Sequence, residues 1–304
     1  MRNLRRNLLG WLFIAPAAIL VVTFLVYPTF WTVRLSFYEG IGFNPTQFAG
    51  LKNYARLFTM DPFFLKLDKF PPSGSLVNNI IWLLLFPSLT IGLGLIIAVL
   101  ADRVRYESIV KSVVFMPMAI SFTAAGVIWR FIYSPDPRMG LLNAILTGVS
   151  PEFRPLSFLG DVRFVNVAII IAAVWMSTGF ATVVLSAGLK GLPKELIDAA
   201  LVDGANSWQI FFRIQLPLLS PIITFLLITD IIAVIKVFDL ILIMGGVSGG
   251  PAGSARVIAF TQYIEVFQNA RVGYGSAVAV IMMLVIIPLM ILNIRRFRAE
   301  EALR

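Results

Sequence analysis

A chain of 304 residues that is 59% hydrophobic and only 13% charged lacks the polar surface to cover a soluble globule of its length. The absence of cysteine and histidine excludes disulfides, thiolate chemistry, imidazole acid/base work and the usual zinc ligands. The net charge of +9 would suit a nucleic-acid partner in a soluble protein, but here the apolar residues gather in blocks, and basic residues between such blocks fit anionic headgroups instead.

A helix that crosses a bilayer needs about 20 mostly apolar residues. The first block, 7–33, carries no charge, and its apolar stretch from Leu8 to Val33 exceeds the h-region of about 7–15 residues in a cleavable signal peptide, so it reads as a retained helix. Pro16 and Pro28 are breaks of the kind that neighbouring helices satisfy. Phe70 to Ala101 is the second charge-free block, helical from about Asn78, and Ser112 to Trp129, extendable to Tyr133, is the third. Phe164 to Leu189 is a fourth, 26 residues long. Ser220 to Met244 is apolar apart from Asp230, Lys236 and Asp239, and Val272 to Ile294 closes the series. These give an all-α membrane protein of six spans in one domain, 1–304, without an internal repeat, whose main external loops are 37–77, 134–163 and 245–271.

An even number of spans puts both termini on one side, and both are basic: Arg2, Arg5 and Arg6 at the start, Arg295, Arg296, Arg298 and Arg304 at the end. If that side is cytoplasmic, the inside segments hold 13 Lys/Arg in 51 residues against 9 in 98 outside, the asymmetry that orients membrane proteins.

The cytoplasmic segment 190–217 divides by local rules into two short helices. Pro193 suits a helix start, Glu195 favours its positive end, Gly204 supplies a left-handed stop, and Asn206 or Ser207 caps a second helix reaching toward Pro217. From physics alone an amphipathic hairpin lying on headgroups, or plain linkage between spans, accounts for it equally well.

The residue order adds a resemblance. Asp198-Ala199-Ala200, Gly204, Ile214 and Leu216-Pro217 are similar in type and spacing to the EAA signature of permeases in binding-protein-dependent ABC importers. Asp198 departs from the pattern, standing where the family usually has Glu, so the carboxylate is one methylene shorter. Further stretches resemble the carbohydrate-uptake branch with maltose and glycerol-phosphate permeases: 28–37, Phe48 to Tyr54, Trp129 to Pro135, Lys236 to Leu240 and Gly245 to Pro251; the ending 286–297 looks most like permeases for α-glucosides.

The resemblance implies a type I importer fold with cytoplasmic termini in the prokaryotic plasma (inner) membrane, and a sugar as cargo. It implies as partners a second related permease, two ATPases docked on the 190–217 loop, an extracytoplasmic solute-binding protein and membrane lipid, with no nucleic acid. ATP and Mg²⁺ would belong to the partner ATPases, and the chain would carry no cofactor, metal or catalytic residue of its own. Its Gly-rich 245–251 segment lacks the Gly-Lys-Ser/Thr ending of a nucleotide-binding loop, so it reads as an outer loop.

Charges inside a span cost several kcal/mol unless they face a partner or water. Lys236 and Asp239, at i and i+3, suggest an ion pair on one helix face, while Asp230 stands apart and could accept hydrogen bonds from sugar hydroxyls. Alignment through the loop signature places Asp230, with Ala173, Met176 and Ser177 of the fourth span and Met118 and Phe122 of the third, at the family's substrate pathway. Phe122 or Trp175 could stack on a pyranose ring, and ordinary helix packing explains the aromatics as well. The rival readings are an ion-coupled secondary transporter using Asp230, Lys236 and Asp239, which an inverted repeat would support, and a membrane enzyme, for which no nucleophile stands near a base.

Overall fold

The computed structural model describes residues 13–67, 73–150 and 152–302. Arg2, Arg5, Arg6, the beginning of the first expected span, Phe70 and Arg304 lie outside the described residues. Among the described residues, four continuous helices are apolar and long enough to cross a bilayer: α1 (Phe13–Leu35), α3 (Ser75–Ala101), α7 (Val165–Lys190) and α13 (Val272–Ala302), whose apolar stretch is Val272–Leu292. Between the first two lie a two-stranded antiparallel hairpin, β1 (Tyr38–Glu39) with β2 (Gln47–Phe48), and the short α2 (Lys52–Thr59).

The third and fifth expected spans are not straight helices. α4 (Glu107–Ala119) and α5 (Phe122–Ile132) meet at 102°. Pro117 tightens the end of α4 into a 3-10 turn, Ile120 is extended, and the Ser121 hydroxyl accepts the Ala124 N–H at 3.2 Å to begin a new helix. α9 (Ser207–Leu218) and α10 (Ser220–Lys236) bend by 62°, and the chain breaks again at extended Val237 before α11 (Asp239–Gly245). With each bent pair taken as one span, the number of membrane crossings is six; by the continuous helices alone it is four. The connections contain α6 (Leu141–Val149), α8 (Lys194–Val202) and α12 (Ile258–Tyr263).

The chain groups into two compact units, one made of residues up to Asp61 with Thr261–Val285, the other of Pro62–Phe260 with the segment from Ile286. In the first, Asn53 donates to the carbonyls of Ser36 and Tyr38, both at 2.9 Å, and fixes the hairpin to α2. The Tyr274 hydroxyl donates to Asp61 at 2.6 Å, under the Arg56 guanidinium that lies 5.1 Å from the Tyr274 ring.

In the second unit α3 lies along α7. A Cβ on Gly94 would sit 2.8 Å from the Ala181 Cβ, and Ala98, Ala181, Leu185 and Leu226 close the contact, so small residues set the helix separation as they do inside membranes. One group of polar residues on these helices is joined by hydrogen bonds, as hydrocarbon requires of side chains buried in it. Trp82 donates to Asn166 at 2.9 Å, Asn166 to Asn78 at 3.2 Å, and Asn78 to the carbonyls of Ser254 and Arg256. Beside them, Asn79 accepts the Ile258 N–H at 2.7 Å and donates to the Val234 carbonyl at 3.3 Å.

Candidate functional site

A cavity of about 510 Å³ lies within the second unit, where α10 breaks before α11. Thr229, Ala233 and Lys236 form one face of α10, Ala173 and Ser177 come from α7, and Phe122 opens α5. The break at Val237–Phe238 puts non-helical backbone on the wall, the setting in which a membrane protein tolerates it. The wall is predominantly apolar, with Ser177, Thr229, Lys236 and Asp239 as its polar side chains, and Trp82 and Phe238 offering aromatic rings. Hydroxyls and charges spaced among rings suit a ligand with both hydrogen-bonding edges and apolar faces.

Of the six expected pathway residues, Phe122, Ala173 and Ser177 line this cavity. Met176 is buried within helix packing at 4% exposure, and Met118 is exposed in the turn that ends α4. Asp230, next to Thr229 on α10, is not among the residues that line the cavity. It is 9% exposed, and its Oδ2 has no hydrogen-bond partner. Trp175 packs edge-on against Trp129, with centroids 5.8 Å apart. The expected Lys236–Asp239 pair is corrected: the break places the two residues on different helices, and no ion pair joins them among the described residues. Trp82, Phe86, Thr229 and Phe238 were absent from the sequence reading; the i, i+4 aromatic pair Trp82/Phe86 in the second span was its available signal.

The second feature is the loop between α7 and α9. α8 starts at Lys194, after Pro193, with Glu195 in its first turn, and none of its residues is buried. Asp198 and Ala199 face solvent beside exposed Leu196, Leu201 and Val202, while Ala200 is half-buried. Gly204 ends the helix at φ +78°, with open space where a Cβ would be, so its need for glycine comes from backbone conformation and not from crowding. Asn206 and Gln209 then cap α9 reciprocally, each bond 2.9 Å. Ile214 and Leu216 are half-buried on α9 and Pro217 is exposed. At the root of the loop, Lys190 lies 2.7 Å from Glu107, which also pairs with Lys111.

An intramembrane cavity at a helix break, with an exposed helix-turn-helix between two apolar helices, defines a multi-pass transport body. Residues 90–295 match the family of binding-protein-dependent transport system inner membrane components. The chain is 44% identical to the osmoprotective compounds uptake permease protein GgtC of Synechocystis sp., over 96% of this chain and 100% of that protein. It is 40% identical to the alpha-glucoside transport system permease protein AglF of Rhizobium meliloti, over 99% and 86%. Its fold matches a chain of a bacterial ABC transporter that imports alginate with a TM-score of 0.77 at 22% identity, covering 97% of this chain and 98% of that one. The chain belongs to the binding-protein-dependent inner membrane component family. It is a permease subunit of an ABC transporter, with the type I importer permease fold, seated in the inner membrane, and ATP hydrolysis in this family lies in separate subunits.

Proposed function

We propose that this permease carries a carbohydrate, an oligosaccharide or α-glucoside disaccharide, into the cytoplasm by alternating access, driven by ATP hydrolysis in two partner ATPases. The chain acts as one transmembrane domain, 1–304, paired with a second related permease. Both termini and the 190–217 loop face the cytoplasm, and the loops 37–77, 134–163 and 245–271 face the solute-binding protein. ATP and Mg²⁺ stay with the ATPases. Relatives named for alpha-glucoside, trehalose/maltose and lactose transport support the cargo class. The cavity chemistry is consistent with it: Ser177 and Thr229 offer hydroxyls, Phe122 and Trp82 offer rings, Asp239 places a carboxylate on the wall, and Asp230 follows lining Thr229 in sequence.

The observation that carries the coupling role is α8 itself, a helix with no buried residue, exposed aliphatic side chains around Asp198 and Ala199, and a positive-φ glycine at its end. An exposed apolar face of this kind marks a protein contact. Gly204→Asp adds a charge at a left-handed position with open space for a side chain; aspartate tolerates that conformation better than most residues, so the expected damage comes from the charge at the contact. With the partner subunits reconstituted in vesicles, this variant is expected to abolish ATP-dependent uptake while the subunits still assemble; intact uptake removes the coupling assignment. The ion-coupled alternative gains nothing from the geometry, because among the described residues Lys236 and Asp239 form no pair and the buried Oδ2 of Asp230 has no hydrogen-bond partner to relay to.

A further inference from the structure

Two cavities meet at the root of the 190–217 loop, on the side where α3 ends. One, of about 560 Å³, is a groove between α3 and α9 with almost wholly apolar walls, including Gly92, Ile96, Leu100, Trp208 and Phe212. The other, of about 500 Å³, carries Asp102, Lys190 and Lys194. Val99, Arg103 and Gln215 line both, so the two are halves of one space that passes from hydrocarbon to charge across Arg103. The Arg103 guanidinium has no ion-pair or hydrogen-bond partner among the described residues. On the polar walls Arg103, Lys190 and Lys194 stand against Asp102, and Glu107, just behind Lys190, is already shared with Lys111. A positive surplus therefore remains on these walls among the described residues.

We propose that this two-part cavity binds one anionic phospholipid, its acyl chain along the α3–α9 groove and its phosphate at Arg103. An acidic lipid is apolar at one end and anionic at the other, as these walls are apolar in one half and basic in the other. Trp208, 73% exposed and stacked on Phe212, stands at the mouth of the apolar half, the headgroup depth that indole rings prefer. Basic side chains at that depth attract acidic lipids by about 1 kcal/mol each. Because Lys194 and Ile197 of α8 belong to the polar half, the lipid would rest against the start of the coupling helix. The inference rests on the proposed placement of this loop at the cytoplasmic leaflet.

The test is native mass spectrometry of the intact transporter, with its ATPases, released from nanodiscs of equal phosphatidylglycerol and phosphatidylcholine. The wild-type complex is expected to retain phosphatidylglycerol preferentially. Arg103→Gln should lower that preference about fivefold, the loss of one such charge, and Arg103→Lys should keep most of it. Gly92 has no atom within 4 Å of where its Cβ would be, so Gly92→Leu fills the groove without displacing backbone and should reduce retention of both lipids. Subunit stoichiometry in the same spectra verifies assembly. Equal retention of the two lipids by the wild type overturns the proposal, as does unchanged retention in Arg103→Gln or Gly92→Leu. Displacement of the lipid by free glycerol phosphate overturns it in favour of a soluble anion site. No ATP or sugar is needed, so a failure of the transport reading leaves this result standing.

Discussion

Asn79 holds a peptide of the 245–271 segment to the helices that build the cavity, and Asn79→Leu isolates that connection. The side chain is 3% exposed and makes two bonds of unequal worth. Its Oδ1 accepts the Ile258 N–H at 2.7 Å, and its Nδ2 reaches the Val234 carbonyl at 3.3 Å. Leucine is close in volume, so packing is largely conserved. The Val234 carbonyl keeps a donor, because the Val237 N–H also points to it. The Ile258 N–H is left without its acceptor in a buried setting, which costs about 1–3 kcal/mol. Taking about 2 kcal/mol, the local opening equilibrium rises roughly thirtyfold. Asn78 still holds the carbonyls of Ser254 and Arg256, so the loss is confined to the start of α12. Hydrogen–deuterium exchange of the purified complex should show the Ile258 amide exchanging about thirtyfold faster, while Gly250 and Ala255, bonded to Gly245 and Gly249, keep their rates. A rise below about threefold at Ile258, or an equal rise at Gly250 and Ala255, refutes the reasoning.

Gly94→Val puts a branched side chain where the Ala181 Cβ is already 2.8 Å away, and overpacking of about 1–3 kcal/mol should lower the melting temperature of the complex; an unchanged melting curve rejects this α3–α7 contact. Burial holds the Glu265 carboxyl above the usual carboxylate range, against the opposing pull of the Asn269 hydrogen bond and Arg271. With the folded pKa above the unfolded one, the native state binds more protons between the two values, so stability rises as pH falls from neutral through the folded value and levels off below about 4.3. Thermal melts across that window should show the rise in the wild type and its loss in Glu265→Gln; a wild type less stable on acidification there contradicts the assignment. Ser177→Ala and Thr229→Val should each raise the sugar concentration for half-maximal uptake about fivefold, one hydroxyl contact apiece, and Asp230→Ala should lower uptake with normal assembly. Unchanged uptake and substrate-stimulated ATP hydrolysis in the Asp230 variant remove it from the pathway.

The features that sequence reasoning located well are those set by local chemistry. Gly204 after Asp203 announces a left-handed stop and Asn206 or Ser207 a cap, and the structure has Gly204 at positive φ and Asn206 as the cap. Long apolar blocks likewise become α3, α7 and α13, because solvation alone decides them. The breaks in the third and fifth spans were less legible: hydrophobicity is continuous across Pro117 to Ser121, and Lys236 and Asp239 around Val237 and Phe238 have a spacing that an unbroken helix also accommodates. Pro117 and a serine four residues later did carry the signal, but in a membrane helix proline by itself permits continuation, as Pro87 within α3 and Pro288 within α13 demonstrate. Which outcome follows depends on whether neighbouring groups take up the freed carbonyls, a tertiary matter. The same dependence explains the site. Thr229 and Asp230 are adjacent in the chain, and charge draws attention to Asp230, but it is Thr229 that lines the cavity. Lys236 and Asp239 have a spacing that favours pairing only if the helix continues through them, and the break that separates them also leaves both on the cavity wall. The discontinuity that invalidates the pairing rule is therefore the feature that makes the cavity, so a charged pair astride a break is better read as lining than as a structural bridge.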